Sequence, residues 1–228
     1  QNIRPSDDRQ LRIVASTPTA QRFLPEVIAA FRAEHPHVGI SLGIVVKRET
    51  ARVLERQQFD VALLAFPMDY PEVHTERFGR VAGVCALPPG HRLATLDTIS
   101  APDLEHENFI SIAPDTILRM RVDGLFNAAG VIRRKLDVET QSAASICQMV
   151  AAGVGVSVID PFTAAAFMGR NIILRPFTPA VTFEYGIVLP INRTVSSHTE
   201  AFVATVRAHA KRFLKGIDWR AGDPEGQA

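Results

Sequence analysis

Short apolar runs alternate along this chain with stretches whose apolar residues recur at helical spacing, and that alternation constrains the fold more than any other feature. Leu11 to Ala15 reads as a short buried strand, and Ser16-Thr17-Pro18-Thr19 is the turn after it. The helix that follows sets Leu24, Val27, Ile28 and Phe31 at i, i+3, i+4 and i+7. His35-Pro36 ends it, because the residue before a proline avoids the α region. Val38 to Val46 is a second strand, Ala51 and Leu54 lie on a second helix, and Asp60 to Phe66 is a third strand. A β-α-β-α-β order predicts a mainly parallel sheet covered on both faces.

A second lobe begins near Ala82. Gly83 to Leu87 is a strand, Pro88-Pro89-Gly90 a turn, and Phe109 to Ile112 the next strand. A helix then carries Leu118, Val122, Leu125, Phe126 and Ala129 on one face and stops at Gly130. Leu136 to Thr140 is a strand, Ser142 to Ala152 a helix with Ile146, Met149 and Val150 inward, and Val156 to Ile159 and Ile172 to Leu174 are further strands. Tyr185 to Leu189 is a strand, and the helix behind it buries Phe202, Val206, Ala210 and Phe213, with capping-box spacing at Ser197-His-Thr-Glu200. This closing pair completes the first lobe if the chain crosses back near residue 183. The expectation is an α/β chain of two Rossmann-like lobes joined by two crossover strands, with lobe I at 11–81 and 183–216 and lobe II at 82–182. Residues 1–10 are expected to be a linker from a domain upstream, and 217–228 a loose polar tail. Two lobes so joined form a cleft, and clefts take ligands.

Composition removes several function classes. A net charge of +1 over 228 residues is too small for a surface that grips a nucleic-acid backbone. The one dense basic patch, Arg133-Arg134-Lys135, is read as a solvated turn. The apolar runs are all shorter than a membrane-spanning helix needs, and the polar start from Gln1 to Gln10 is not a signal peptide. Cys85 and Cys147 each sit in an apolar run, where cysteine acts as a small hydrophobe, which fits a reducing cytoplasm. His35-Pro-His37 lacks further ligands nearby, so neither a metal nor a cofactor is expected. Gly153-Val-Gly-Val-Ser157 follows a helix and precedes a strand, the reverse of a dinucleotide loop, so its glycines are a cap and a turn.

The candidate ligand contacts lie where strands give way to helices. In open α/β sheets that edge is the ligand crevice, and free N–H groups there favour anions. Ser16 and Thr17 can hold a carboxylate, or merely cap the helix. Lys47 and Arg48, followed by Glu49, can neutralise an acidic ligand or stand in a solvated turn. Gln141, Ser142 and Thr116 carry the same pair of readings in the second lobe. Asp160, ahead of Pro161 and Phe162, can hold an ammonium or guanidinium group or cap the helix that follows, and Phe162 goes with it as a contact.

Four stretches, taken in order, resemble the co-inducer-binding domain of LysR-type transcription regulators. They are Leu11-Arg-Ile-Val through Phe31-Arg-Ala-Glu-His-Pro36; Leu54 through Phe59-Asp-Val-Ala-Leu63; Leu87-Pro-Pro-Gly-His-Arg-Leu93 with Asp103-Leu104; and Gln148-Met-Val-Ala-Ala-Gly-Val-Gly-Val156 through Asp160-Pro161. Gln57 stands where glycine is usual, and one extra residue precedes Pro161. The resemblance implies a type 2 periplasmic-binding-protein-like fold, no catalysis, and a small-molecule effector in the interlobe cleft. It also implies antiparallel pairing of sensing domains, tetramers of the full-length regulator, and DNA contact through an N-terminal winged helix-turn-helix outside this chain. Ile159-Asp160-Pro161 with Met120-Arg-Val122 looks most like the branch that answers opines such as nopaline and octopine, amino acids with a second carboxylate arm. Lys47 and Arg48 or the hydroxyls would then meet carboxylates and Asp160 a cation, although Lys47-Arg48 stand where small hydroxyl residues are common in the family. Two other classes stay open on the residues alone: an extracytoplasmic solute-binding protein of similar shape, and a small enzyme using Glu49 and Asp160 as acid and base.

Overall fold

The computed structural model describes residues 10–66, 71, 73–114, 116–132 and 138–217, together with the backbone but not the side chains of Lys47 and Ile117. Of the expected linker, 1–10, only Gln10 is described and it opens a strand; of the expected tail, 217–228, only Ile217 is described and it is buried; the rest of both, and the Arg133-Arg134-Lys135 turn, lie outside the described residues. The chain divides into two compact units, the chain up to Arg80 with Glu184–Lys215 in one, and Val81–Phe183 with the chain from Gly216 in the other.

Unit 1 is built on a five-stranded sheet. Its strands are β1 (Gln10–Ser16), β2 (Gly39–Val45), β3 (Val61–Ala65), β4 (Val73–Ala82) and β11 (Thr182–Pro190), in the order β2-β1-β3-β11-β4. β1 pairs parallel with β2 and β3, whereas β11 runs antiparallel to β3. The sheet is therefore mixed where the sequence predicted it mainly parallel, because the last strand enters from the opposite end. Leu11, Ile13 and Ala15 are buried while Arg12, Val14 and Ser16 are half-buried, the alternation of a strand with one better-covered face. β3 is apolar without alternation because both faces are covered.

The helices of unit 1 are α1 (Thr17–Gln21), α2 (Phe23–Glu34), α3 (Lys47–Arg56) and α7 (Ser197–Gly216). On one face Leu54 of α3 packs with Val45, Phe59, Ala62, Leu64 and Val188. Elsewhere in the unit α2 and α7 interlock through rings: Phe23 lies 5.0 Å from Phe213 and 5.3 Å from Phe78, and Phe31 lies 5.3 Å from Phe202. Phe23, Phe31, Phe202 and Phe213 are buried, and removing any one of these rings costs about 3–5 kcal/mol. The cap of α7 is one residue earlier than its sequence spacing predicted. Ser196 Oγ, not that of Ser197, accepts from Thr199 N–H at 3.2 Å.

Unit 2 holds β5 (Val84–Leu87), β6 (Ile99–Ser100), β7 (Ile110–Ile112), β8 (Val138–Thr140), β9 (Ser157–Ile159) and β10 (Ile173–Thr178), with α4 (Ile117–Ala128), α5 (Ala143–Ala151) and α6 (Pro161–Ala165). One sheet runs β6-β10-β5-β9, and β7 pairs parallel with β8 beside it. A bridge from Phe109 to Val156 ties the two together. β5 explains its own apolar run: Cys85 and Leu87 enter one core with Val122 and Phe126, while Val84 and Ala86 enter another with Ile146 and Val150. Antiparallel pairing of β5 with both β9 and β10 makes this sheet mixed as well. Gly155 permits the tie between β7 and β9, since a Cβ there would sit 2.2 Å from the Asn108 carbonyl oxygen.

Two strands had no clear counterpart in the sequence, β6 and β4. The chain passes from unit 1 to unit 2 within β4 and returns within β11.

Candidate functional site

In unit 1 the parallel pairing sets the C-terminal ends of three strands side by side, with Ser16 opposite Val45 and Ala15 opposite Leu63. α1 leaves from Ser16 and α3 from Val46, so two helix N-termini open at adjacent points of one edge. Ser16 does not cap α1 with its side chain. Its hydroxyl lies 3.2 Å from Thr19 Oγ1, which donates to the carbonyl of Ser16 and to that of Leu63 at 3.1 Å. Thr17 is exposed beside it. Val46 has no side-chain group with which to cap α3, and Lys47, Arg48 and Glu49 form the first turn. Arg48 is exposed and Glu49 half-buried, whereas the Lys47 side chain lies outside the described residues. Basic residues in a first turn oppose the helix dipole, and a bound anion relieves that opposition.

Further along the same edge Phe66 N–H donates to the Glu184 carbonyl at 2.8 Å. The Phe66 ring lies over Gly186, where a Cβ would come within 2.3 Å of it. The Arg77 guanidinium sits 5.4 Å from the ring centroid. Phe66, Arg77 and Glu184 went unnoticed in the sequence, since only strand pairing brings β11 to the end of β3.

In unit 2 the corresponding edge is the end of β7 and β8, where Ile112 faces Thr140 and Ala113 N–H donates to the Thr140 carbonyl at 2.9 Å. Thr116 caps α4 by accepting from Arg119 N–H at 3.1 Å, and Ser142 caps α5 by accepting from Ser145 N–H at 3.1 Å. Gln141 is exposed between them. Arg119 spans the edge, donating to the Ile112 carbonyl, to Glu139 at 2.8 Å and to Asp123 at 2.7 Å. The Glu139 hydrogen bond, and then that of Asp123, holds its guanidinium more firmly protonated than usual against the opposing effect of burial.

Asp160 is buried at the start of α6. Oδ1 accepts from Phe162 N–H at 2.9 Å, and Oδ2 accepts from Thr163 N–H at 3.2 Å and from Thr163 Oγ1. Phe162 is fully buried. Capping, set beside ligand contact in the sequence, is what Thr116, Ser142 and Asp160 do here. Ser16 and Val46 do not.

Among the described residues no group of three His, Cys, Asp or Glu side chains is placed to hold a metal ion. Cys85 and Cys147 are free and buried, and burial raises both thiols, Cys147 to about 12, so neither supplies a thiolate near neutral pH. No described helix is long and apolar enough to cross a membrane. A small polar depression of about 130 Å³ lies at the other end of β1 in unit 1, lined by residues that include Gln10, Asp60, Arg193 and Ser196.

Known proteins match this chain along most of its length. The family model described as the LysR substrate binding domain matches residues 5–211. The regulatory protein NocR of Agrobacterium tumefaciens is 34% identical over 202 residues, 87% of this chain and 67% of that protein. The transcriptional activator LysR of Escherichia coli is 32% identical over 96% of this chain and 70% of its own length. The effector-binding domain of QuiR solved with shikimate superposes with a TM-score of 0.70 at 17% identity, covering 89% of this chain and 97% of that one. The effector-binding domain of BenM with benzoate gives 0.72 at 17%, covering 96% and 97%. These structures share the type 2 periplasmic-binding-protein-like fold, and the relatives are transcription regulators rather than enzymes. The chain belongs to the LysR family, as the effector-binding domain of a LysR-type transcription regulator.

Proposed function

We propose that the domain senses a small amino-acid-derived or carboxylate effector, and that the effector's carboxylate docks at the α1 and α3 N-termini of unit 1. The observation that carries this reading is the asymmetry of the helix starts. In unit 2 Thr116, Ser142 and Asp160 close α4, α5 and α6 with their own oxygens, whereas the adjacent starts at Ser16 and Val46 are left without a side-chain cap. Arg48 and the Lys47 position add positive charge at the same edge. Gln141, exposed at the corresponding edge of unit 2, is a further candidate contact, whereas the fully buried Phe162 is not. Likeness to NocR supports an opine-like effector.

In the full-length protein an N-terminal DNA-binding domain in the cytoplasm would read this signal. Ligand that binds one arrangement of the units better than another shifts that equilibrium and with it the spacing of paired DNA-binding domains. Two copies would pair antiparallel and assemble further into tetramers. Exposed small residues on one face of α2 (Pro25, Ala29, Ala33), exposed Leu42 and Ile44 on the edge strand β2, and the face of α4 at Met120, Gly124 and Ala128 support such pairing.

Calorimetry with basic amino acids and opines tests the ligand class. Ser16→Ala and Thr17→Ala are expected to weaken binding by about 0.5–1.5 kcal/mol for each hydrogen bond lost. Unchanged affinity in both would overturn the assignment of this edge.

A further inference from the structure

Basic amino-acid derivatives bring a side-chain cation as well as carboxylates, and the carboxylate first expected to receive it is already engaged. Both oxygens of Asp160 accept from the first turn of α6. Taking on a ligand would compete with that cap. Glu139 is similarly held by Arg119 at 2.8 Å.

Glu184, on β11 of unit 1, stands in different circumstances. The hydrogen bond from Phe66 N–H to its carbonyl places it at the C-terminal end of β3, the strand beside β1 with its Ser16 and Thr17. Its carboxylate faces Arg77 at 3.6 Å and Arg80 at 3.8 Å. Both distances are too long for a charged N–H···O bond, and the two arginines are 68% and 74% exposed. Ion pairs so long and so open to water contribute little and are readily exchanged. The Phe66 ring completes the spot: it is held against Gly186 and already carries the Arg77 guanidinium near its face. A ring placed to attract one guanidinium attracts another equally well.

We propose that Glu184, with the Phe66 ring beside it, receives the side-chain cation of the effector and so sets a preference for cationic over neutral amino-acid derivatives. The proposal rests on the reading of the domain as a sensor of amino-acid-derived ligands. A ligand guanidinium takes the position that Arg77 now holds loosely, gaining a hydrogen bond to the carboxylate that Arg77 does not make.

The test is calorimetry on the whole chain with two probes, N-(1-carboxyethyl)arginine and N-(1-carboxyethyl)norvaline, which differ by the guanidinium group. The unaltered chain is expected to bind the arginine compound more tightly. Glu184→Gln should weaken that compound about ten- to a hundredfold, the range for a charge-assisted hydrogen bond, and leave the norvaline compound unchanged. Arg77→Gln, which removes the competitor, should tighten the arginine compound and leave the other alone. Equal losses for both probes in both variants would assign these residues to holding the strands and overturn the inference. No change in Glu184→Gln, while Ser16→Ala still weakens binding, would overturn it and leave the broader reading standing. If the unaltered chain binds neither probe, the ligand class itself fails, and this inference with it.

Discussion

Arg212 can only donate hydrogen bonds, so His209 Nδ1, 2.9 Å from its guanidinium, must accept. That leaves Nε2 as the protonated nitrogen, donating to Glu26 Oε2 at 2.9 Å. Glu26 also accepts from Arg22 at 2.9 Å. Burial alone would raise the Glu26 carboxyl, but the hydrogen bonds from Arg22 and His209 outweigh it and hold the group below its ordinary value. A depressed carboxyl adds stability that is whole above its unfolded pKa and drains as pH falls through the folded one. Glu26→Gln should therefore flatten the acid limb of stability below about pH 4.5 and change its shape little near neutrality, as read by urea melts across pH. Nothing local in the sequence announces the role of His209, because its partner Glu26 on α2 is far away along the chain. Ser16 and Thr17 were legible as candidates, and Asp160 as a cap, since a strand, a hydroxyl or carboxylate and a helix follow one another locally. Glu184 and Phe66 were not, because no local pattern announces a partner across a sheet.

The elements divide along the same line. α7 was legible from Phe202, Val206, Ala210 and Phe213, all of them buried. β4 was not, because His74, Glu76, Arg77 and Arg80 interrupt its apolar residues. Besides its pairing with β11, β4 is tied to α7: Arg207 makes two hydrogen bonds to Glu76, and Leu214 packs against Gly79. Cap placement was legible only to within one residue, since Ser196 and Ser197 offer the same hydroxyl and the backbone decides between them. Ser196→Ala is expected to destabilise by about 0.5–2 kcal/mol, as loss of an N-cap does, and Ser197→Ala by at most a few tenths. Denaturant midpoints of the two variants check this. Equal effects would return the cap to the position that the sequence spacing favoured.

For the whole molecule, the division into two units and the return of the chain to the first were foreseeable from one strand and one helix left over at the end. The mixed direction of both sheets was not, because periodicity gives no strand direction. Ile44 is 58% exposed on the edge strand β2, where a lone chain gains nothing from an apolar side chain. If two copies pair through this surface, Ile44→Glu should shift the chain toward monomer in sedimentation at micromolar concentration while leaving its melting temperature nearly unchanged. A dimer of undiminished strength would move the interface elsewhere.

Because unit 1 takes β11 and α7 from beyond Val81–Phe183 in the chain, it can be completed only after that segment has been synthesised. β1, β2 and β3 leave the ribosome before β11 and α7, so β3 gains its second neighbour β11, and Phe23 and Phe31 their partners Phe213 and Phe202, only after the intervening unit has been made. Translation at about 5–20 residues per second places the whole of Val81–Phe183 within that wait. The middle of the chain is thus the part able to fold first. A message cut short after Phe183 would leave most of the second unit attached to a first unit that lacks β11 and α7.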